Sequence, residues 1–325
     1  MELVVNKQER KASSPELDEI AVFAPATVAN VVCAFDVLGF ALDEPGDEIF
    51  MRRSNTPGVR ITTITGDDGR LPRQAEKNTV SSCVQQLLSY LGRTELGIEI
   101  ELHKKMPIGS GLGSSAASTV GGLYAINELL GRPMTVDELL PFAIKGEELA
   151  CGHGHADNVA PALLGGFTLI RSYEPLDVIK LPIPTKLYCS VIFPHVDVPT
   201  RAAREMIRTK VALKDAVTQW GNIAGLISGL FMEDYKLIGR SMQDILIEPT
   251  RSILIPEFQE MRDIANSLDA ISFGISGSGP SVFAFAESKE KAEQVTKQIQ
   301  HHLDSKDVES NGYVSRVNQT GPRVL

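Results

Sequence analysis

The run from Pro107 to Ser118, Pro-Ile-Gly-Ser-Gly-Leu-Gly-Ser-Ser-Ala-Ala-Ser, constrains the fold of this 325-residue chain more than any other segment. Its three glycines stand at alternate positions and remove the Cβ atoms that would keep a bulky anion away from the backbone N–H groups. An apolar stretch typical of a buried helix follows from Ala116 to Leu130. A glycine loop that leads into a helix collects unpaired N–H donors and the positive end of the helix dipole at one place. The segment therefore predicts a phosphate-binding loop.

Two other phosphate-binding patterns do not fit this loop. No Gly-Lys-Ser/Thr follows the glycines, so it is not a Walker loop, and the G-x-G-x-G spacing differs from the G-x-G-x-x-G of dinucleotide-binding folds. A mobile linker is the simpler alternative, but linkers are not flanked by Met106-Pro107-Ile108 and an alanine-rich helix. Ser114 and Ser115 stand where a hydroxyl could reach a phosphate oxygen or a metal that it holds.

Composition excludes several classes of partner. A net charge of −9 argues against nucleic acid, which needs a basic surface. The four cysteines are scattered without a C-x-x-C pair, which favours reduced thiols in a cytoplasmic protein over a zinc site or a disulfide framework. The apolar stretch from Ala21 to Leu42 is interrupted by Pro25, Asn30 and Asp36, which a membrane span would rarely tolerate. We read it as a strand, a polar loop and a second strand, with no membrane contact.

The order of the predicted elements indicates an α+β protein of two domains. Strands come early, helices dominate the middle, and the chain closes as strand, strand, helix, strand. We expect a flexible leader over 1–19, an N-terminal domain over 20–180 and a C-terminal domain over 181–325. Thr135-Val136-Asp137-Glu138 has the pattern of a capping box and predicts a helix start.

Other polar residues have both a functional and a structural interpretation. Asn30 and Asp36 are isolated polar residues in an apolar segment. They could both contact a ligand, or Asn30 could be a helix or turn cap and Asp36 a turn residue. Glu147 could supply a Mg²⁺ ligand, because Mg²⁺ needs only one or two carboxylates when phosphates complete its shell, or it could close a solvated helix. Arg251 could pair with a carboxylate or lie in solvent. The second glycine loop, Gly274 to Pro280, is either a hairpin turn or part of a cleft.

Three motifs in this order resemble those of the GHMP kinases, the superfamily of small-molecule kinases named for galactose, homoserine, mevalonate and phosphomevalonate. The motifs are Pro25–Asn30, Pro107–Ser118 and Ser276–Pro280. Within the superfamily the chain is most similar to the homoserine kinase family. The segments that carry this similarity are Phe35–Gly39, His155–Pro161, Thr200–Arg204 and Glu248–Arg251.

The resemblance implies a fold and a reaction. The fold would combine an N-terminal domain like domain 2 of ribosomal protein S5 with a ferredoxin-like C-terminal domain, and the site would lie between them. The reaction would transfer the γ-phosphoryl group of MgATP to the side-chain hydroxyl of L-homoserine. The product would be O-phospho-L-homoserine, on the route to threonine.

The resemblance also implies a role for each matching residue. The amino acid would be held by Asn30, Asp36, His155, Arg204 and Arg251, with Asp36 facing the ammonium and the arginines facing the carboxylate. The nucleotide would contact Asn78 and the loop residues Pro107, Ile108, Gly109, Ser110, Gly111, Leu112, Gly113, Ser114 and Ser115. Mg²⁺ would be bound by Ser115 and Glu147. The catalytic group would be Asn158, Glu147, Ser115 and Thr200, with Thr200 near the γ-phosphate.

Two positions depart from the usual patterns. Asn158 stands where mevalonate-type relatives carry a catalytic Asp, and because an amide cannot take the proton, the resemblance implies direct attack by a positioned hydroxyl. The adjacent Asp157 is the alternative base. Family members usually show glycine just before Phe35, whereas this chain has Ala34, a change that could tighten the substrate loop or shift Asp36.

Two further functions stay open from the sequence. Another GHMP kinase could act on a mevalonate-like or shikimate-like acid, for which Asp36 would have no ammonium to bind. A non-catalytic member could only sense its ligand, although a sensor need not keep the Mg²⁺ ligands Ser115 and Glu147. The superfamily often dimerises, so a homodimer is an alternative to a monomer.

Overall fold

The computed structural model describes residues 13–151, 154–198, 204 and 206–325. Among these residues, seven strands form one mixed sheet in the order β11-β1-β2-β4-β3, with β5 joined to β2 and β6 joined to β5. The strands are β1 (Glu19–Ala29), β2 (Leu38–Ser54), β3 (Gly58–Thr65), β4 (Gly97–His103), β5 (Phe167–Tyr173), β6 (Leu176–Leu181) and β11 (Arg323–Val324). Strand β3 runs parallel to β4, and the other pairs in this sheet are antiparallel.

Helices follow the first strands of this sheet and pack on it. They are α1 (Thr79–Tyr90), α2 (Ser114–Leu129), α3 (Val136–Cys151) and α4 (Ala156–Leu164). The predicted capping box at the start of α3 is confirmed, because the Thr135 N–H donates to the Glu138 carboxylate at 2.9 Å and the Glu138 N–H donates to the Thr135 hydroxyl at 3.4 Å. The central helix α2 is buried along most of its length and contacts β1 and β2.

A second, antiparallel sheet of the described residues has the order β10-β7-β9-β8. Its strands are β7 (Tyr188–Pro194), β8 (Ser272–Ile275), β9 (Val282–Ala286) and β10 (Ser310–Arg316). The helices around it are α5 (Leu213–Met232), α6 (Tyr235–Ser241), α7 (Glu248–Arg251), α8 (Phe258–Ser267) and α9 (Lys289–Asp304), with a 3₁₀ turn at Ser252–Leu254. Numbered along the chain, the strand order is 4-1-3-2 in a β-α-β-β-α-β sequence, which is the expected ferredoxin-like arrangement. The α+β prediction of two domains is therefore confirmed.

Four phenylalanines join the two sheets in one core. Phe40 and Phe167 of the first sheet contact Phe285 of the second at ring-centroid distances of 5.1 and 6.1 Å, and Phe283 lies 5.8 Å from Phe40. All four rings are fully buried. Burial of aromatic rings is among the largest contributions to core stability, so the relative position of the sheets is set by this shared core.

The ends of the predicted domains differ from the structure. Residues 1–12 of the expected leader lie outside the described residues, but Ser13 and Ser14 donate backbone hydrogen bonds to Gly131 at 2.8 and 3.0 Å, so this part is not a loose segment. The chain passes from the first sheet to the second between β6 and β7. At the other end, β11 returns to pair with β1 in the first sheet, so the last residues of 181–325 do not belong to the second sheet. In the part of the chain that is described, no helix has the length and apolar character needed to cross a bilayer.

Candidate active site

A cavity of about 820 Å³ lies where loops from both sheets meet. It is lined from the first sheet's side by the loop after β1, the glycine loop, the end of α3 and the start of α4, and from the other side by Arg204, Arg251 and the second glycine loop. The lining residues are Asn30, Asp36, Ile108, Gly109, Ser110, Gly111, Gly113, Ser114, Ser115, Glu147, His155, Asp157, Asn158, Arg204, Arg251, Gly277 and Ser278. Most of the site residues predicted from the sequence are thus brought together.

The glycine loop needs its glycines. Gly111 and Gly113 have φ values of +82° and +66°, in the left-handed region that other residues rarely adopt. A Cβ on Gly111 would lie 2.5 Å from the Ser276 carbonyl oxygen, and one on Gly113 would lie 2.0 Å from the Thr27 hydroxyl oxygen. The loop backbone therefore packs directly against both domains, with no room for a side chain at position 111 or 113.

Helix α2 starts directly after this loop, with Gly113 as its N-cap. Gly113 has no side chain with which to cap this end, and the positive end of the helix dipole lies beside the loop, which favours an anion there. Ser114 and Ser115 occupy the first turn and both line the cavity. The geometry at this end of the cavity is that of an anion site made of main-chain donors.

A buried ion pair supports the first turn of α2 from below. Lys104 forms an ion pair with Asp47, and its ammonium also donates to the Ser114 carbonyl at 2.8 Å and to the Ser118 hydroxyl at 2.9 Å. Burial lowers the pKa of Lys104 and raises that of Asp47, and their mutual attraction opposes both shifts. Two of the three hydrogen bonds of this ammonium go to the helix start, and the third anchors it to Asp47 in β2. The sequence interpretation missed this pair because Lys104 and Asp47 are 57 residues apart.

The carboxylate of Glu147 reaches the cavity from the end of α3. Glu147 is only 5% exposed, and it lines the same cavity as Ser115. Both offer oxygen, the donor that Mg²⁺ prefers. Among the described residues, no group of three or more His, Cys, Asp or Glu side chains forms a cage that would hold a metal without help from a ligand.

Two arginines line the opposite end of the cavity, and one aromatic ring lies beside both of them. The ring of Phe35 lies 5.0 Å from the Arg251 guanidinium carbon and 5.9 Å from that of Arg204, within cation–π range of both. Arg204 also donates to the Asp36 carboxylate at 2.9 Å. The sequence predicted the charged residues but not the ring between them.

Arg251 is a buried cation that keeps hydrogen-bonding capacity. It is 5% exposed, its Nη1 donates to the Gly277 carbonyl at 3.1 Å, and its Nε has no hydrogen-bond partner. Burial lowers the pKa of Arg251, and the negative charge of Asp36 opposes that shift. A buried guanidinium that is only partly satisfied favours an anionic partner such as a carboxylate.

Helix α5 and the turn before α7 support Arg251 from behind. Gln219 donates to the Cys33 carbonyl at 2.7 Å and to the Asp244 carboxylate at 2.9 Å. Asp244 in turn accepts from the Glu248 N–H at 2.9 Å, and Glu248 forms an ion pair with Arg262. These bonds connect the loop after β1 to the helix that carries Arg251. The bond from Gln219 to Cys33 joins residues 186 positions apart, so local sequence patterns do not predict it.

Asn30 organises the loop after β1. Its Nδ2 donates to the Gly277 carbonyl at 2.7 Å, and its Oδ1 accepts from the Asp36 N–H at 2.9 Å. The side chain therefore links the loop after β1 to the second glycine loop. This second loop lines the cavity through Gly277 and Ser278. Asn30 borders the cavity, but both ends of its amide already bond within the protein.

The loop backbone is strained at two valines. Asn30, Val31 and Val32 have φ values of +71°, +37° and +60°, and β-branched residues rarely adopt this region. Val31 and Val32 are buried, so surrounding packing imposes the conformation. Ala34, where the family usually has glycine, is not among the residues with positive φ. The change from glycine to alanine therefore imposes no backbone strain at that position.

The start of α4 brings His155, Asp157 and Asn158 to the cavity. The Thr27 hydroxyl donates to the Asn158 side-chain oxygen at 2.9 Å, which fixes the amide. Asp157 is 2% exposed, and its Oδ1 has no hydrogen-bond partner. Burial, with a contribution from the charge of Asp36, raises the pKa of Asp157 from 3.8 to about 7.

Four predicted contacts are not among the cavity residues. Asn78 instead caps α1, because its Oδ1 accepts from the Val80 N–H at 3.2 Å and its Nδ2 donates to the Pro72 carbonyl at 2.8 Å. Pro107 and Leu112 belong to the loop but do not line the cavity, and Leu112 is fully buried. Thr200 lies outside the described residues.

Comparisons with known proteins agree with this geometry. The family model for the GHMP kinases N terminal domain matches residues 78–166, and the model for the GHMP kinases C terminal matches residues 225–305. The chain is 48% identical to a homoserine kinase of Chlorobium phaeobacteroides (strain BS1) over 315 residues, which is 93% of this chain and 98% of that protein.

Solved structures agree as well. The crystal structure of homoserine kinase from Cytophaga hutchinsonii matches with a TM-score of 0.93 and 58% identity, and the match covers 99% of this chain and 100% of the other. The crystal structure of L. major mevalonate kinase in complex with R-mevalonate matches with a TM-score of 0.71 over 94% of this chain and 99% of the other. Its identity of 17% shows the fold alone.

Proposed function

The chain belongs to the GHMP kinase family, and we propose that it works there as a homoserine kinase, which transfers the γ-phosphoryl group of ATP to the side-chain hydroxyl of L-homoserine. One observation carries the proposal. A single cavity joins main-chain anion donors at the glycine loop to one carboxylate and two guanidiniums at its other end. A nucleotide and a zwitterionic amino acid need these two chemistries side by side.

The glycine loop would hold the phosphates. Six residues from Gly109 to Ser115 line the cavity, and helix α2 starts at Ser114 directly behind them, an arrangement that supports triphosphate binding. Lys104, which is paired with Asp47, holds the same turn in place through its bond to the Ser114 carbonyl. Hydrogen bonds that are already in place stabilise developing charge without reorganisation during the reaction.

The other end of the cavity would orient the acceptor. Arg251 and Arg204 would bind the carboxylate of the amino acid, and Asp36 would bind its ammonium. His155 and Asn30 border the same space and would limit how the chain of the amino acid can lie. Fixing both charged groups leaves the side-chain hydroxyl to extend toward the glycine loop, which is the alignment that an in-line transfer requires.

Mg²⁺ fits the donors present, and we propose Ser115 and Glu147 as the residues that hold it. A hydroxyl and a carboxylate leave most of the coordination to phosphate oxygens and water, which is how Mg²⁺ is usually bound with nucleotides. When bound, the ion would neutralise charge on the transferred phosphoryl group. Thr200 would lie near the γ-phosphate.

The transfer would not need a base in the position of Asn158. An amide cannot accept the proton, and the bond from Thr27 holds this amide in place as a positioning contact. The raised pKa of Asp157 reflects burial beside another carboxylate, and it does not require a catalytic role. Phosphoryl transfer depends mainly on alignment and charge neutralisation, which the other residues supply.

We also propose that the reaction takes place in the cytoplasm. Cys33, Cys83 and Cys189 are free, buried thiols, which supports a reducing compartment.

An ADP-release assay across homoserine, serine, threonine, mevalonate and shikimate tests the function. We expect kcat/KM for homoserine to exceed that for each other acceptor by about 100-fold or more, since the two charged ends and the chain length must all fit. Phosphorus NMR should show a phosphate ester on the side-chain oxygen. A preference for mevalonate or shikimate would replace the proposal with another kinase activity. Binding of ATP and homoserine without any ADP release would indicate a sensor.

A further inference from the structure

A second cavity, of about 500 Å³, lies between side chains of both sheets. It is separate from the candidate active site, because the two cavities have no described lining residue in common. Strands β2 and β11 of the first sheet line it from one side, and β7, β10 and the start of α9 line it from the other. We call it the junction cavity. Its charged and phenolic lining residues are Asp43, Glu44, Tyr188, Lys289, Arg316 and Arg323.

Arg316 is held in place by Tyr188. Its Nε and Nη2 donate to the Tyr188 hydroxyl oxygen at 2.9 and 2.7 Å, and its guanidinium carbon lies 4.9 Å from the centre of the Tyr188 ring. The phenolic oxygen therefore accepts two hydrogen bonds, whereas its own proton has no acceptor among the described residues. Tyr188 keeps an O–H group to donate, and Arg316 keeps further N–H groups beside it.

The two arginines of the junction cavity are ordered without a carboxylate partner. Arg323 lies over the buried ring of Phe23, 4.0 Å from its centre. Neither Arg316 nor Arg323 forms an ion pair with a described residue. Exposed arginines elsewhere in this acidic chain, such as Arg52 and Arg171, do pair with carboxylates. Two guanidiniums with unused donors in one cavity favour an anionic ligand.

The junction cavity also contains negative charge. Asp43 and Glu44 line it from β2, and burial raises the pKa of Asp43 while the charges of the two arginines oppose that shift. Lys289 adds a third cation, since its exposed pair with Glu293 at 3.7 Å contributes little. A simple anion would be attracted by three cations and repelled by two carboxylates. A ligand that also carries an ammonium would be attracted by both sets of charges.

We propose that the junction cavity is a second binding site, which takes a phosphorylated amino acid. The phosphate would lie between Arg316, Arg323 and the Tyr188 hydroxyl. The carboxylate of the ligand would face Lys289, and its ammonium would face the two carboxylates of β2. Such a ligand has three negative charges or slightly fewer and one positive charge near pH 7, which matches this distribution. The expected natural ligand is O-phospho-L-homoserine, an identification that rests on the proposed function.

A ligand in the junction cavity would bridge the two sheets. Arg323 belongs to β11 of the first sheet and Arg316 to β10 of the second, and the chain crosses from one sheet to the other between them. The Glu44 N–H already donates to the Ser315 hydroxyl at 3.1 Å across this boundary. A phosphate held by both arginines would add ion pairs there, so binding should stabilise the folded protein and raise its Tm.

Titration calorimetry of the full chain with O-phospho-L-homoserine tests the proposal. We expect wild type to bind two equivalents, one in each cavity. Arg316→Gln should weaken one of them about 10-fold or more, and Arg251→Ala should weaken the other. Arg240→Gln removes the same charge from an exposed position on α6, so it is the control and should bind as wild type does.

The outcomes separate the two sites. If Arg251→Ala changes nothing and Arg316→Gln weakens a single equivalent, the junction site stands and the proposed function fails. If Arg316→Gln binds every equivalent as tightly as wild type does, the proposal is overturned.

Asp43→Asn distinguishes a phosphorylated amino acid from a simple anion. Measured in the Arg251→Ala background, it should weaken binding of O-phospho-L-homoserine about 3- to 10-fold and strengthen binding of inorganic phosphate, because the carboxylate that attracts an ammonium repels a phosphate. O-phospho-L-homoserine should bind about 10-fold more tightly than inorganic phosphate to the same protein without the Asp43 change. Equal affinities, with the same response of both ligands to Asp43→Asn, would show an unspecific anion patch and overturn the proposal.

Discussion

The carboxylate of Asp36 accepts a hydrogen bond from the guanidinium of Arg204 at 2.9 Å, although the two residues are 168 positions apart in the sequence. Both side chains remain about one-third exposed, at 31% and 37%. A partly solvated ion pair of this kind is weak in net stability, so it can be rearranged at little cost. We therefore expect that an amino acid substrate can insert its ammonium and carboxylate between these two charges.

Asp36→Asn tests the ammonium contact. We expect KM for homoserine to rise about 10- to 100-fold, since a charge-assisted hydrogen bond contributes roughly 1.5–3 kcal/mol, with KM for ATP unchanged. The measurement is steady-state kinetics with each substrate varied in turn. With 4-hydroxybutyrate, which lacks the ammonium, wild type and variant should differ much less. The exposed Asp68→Asn is the matched control, and an equal loss on both acceptors would assign Asp36 to another role.

Phe35→Leu tests the ring between the two arginines. The ring is within cation–π distance of both, so its loss should raise KM for homoserine about 3- to 30-fold, and Arg251→Ala should raise it further, with little effect on ATP in either case. Phe35→Tyr keeps the ring and should retain most of the affinity. With 3-amino-1-propanol, which lacks the carboxylate, wild type and Phe35→Leu should behave alike. A selective loss of ATP binding in Arg251→Ala would move that residue to the nucleotide side.

Glu147→Gln tests the metal role. At saturating substrates we expect kcat to fall about 100-fold and the Mg²⁺ concentration needed for half-maximal rate to rise, because an amide is a weaker ligand than a carboxylate. Homoserine affinity, measured by calorimetry, should hardly change. The neighbouring Glu148 is exposed, so Glu148→Gln serves as the control. An unchanged kcat in Glu147→Gln would remove the proposed metal contact.

Asp157→Asn tests both stability and mechanism. The unfolded chain releases this proton near pH 3.8, whereas the folded protein holds it until about pH 7. Between these values the folded state binds more protons, so this residue lowers the free energy of unfolding as pH rises, and the effect is constant above about pH 7. The variant lacks this loss. Denaturant unfolding should therefore show that the free energy of unfolding of Asp157→Asn, relative to that of wild type, rises with pH up to about pH 7.

The same variant should keep most of its activity if the hydroxyl attacks without a base. An inactive but folded Asp157→Asn would revive a general-base mechanism. Stability profiles that run parallel from about pH 4 to about pH 8 would show that the carboxyl titrates normally.

The local features of the site were predictable because they depend on neighbouring residues. Alternating glycines before a helix predict a main-chain anion site wherever they occur, and the reciprocal bonds of Thr135 and Glu138 follow from their spacing. Asn30 and Asp36 could be proposed because they interrupt an apolar segment, whereas the sequence around Glu147 also fitted a solvated helix end.

Long-range features could not be predicted in this way. The pairing of β3 with β4 instead of β2 depends on the whole sheet, and the support of Arg251 by Gln219 depends on how α5 docks. The left-handed backbone at Val31 and Val32 opposes the local preference of valine, so only tertiary packing accounts for it. The Asn78 side chain could have bound a ligand, but its Oδ1 caps helix α1 and its Nδ2 donates to the Pro72 carbonyl.

The return of β11 to β1 has a mechanical consequence. The polypeptide crosses between the two sheets twice, once after β6 and once before β11. A body held by one connection can swivel in any direction, whereas one held at two separate points can turn only about the line through them. Any opening of the cleft would therefore be a hinge rotation about the line through these two connections. The glycine loop and the arginines would return to the same relative positions each time the cleft closes.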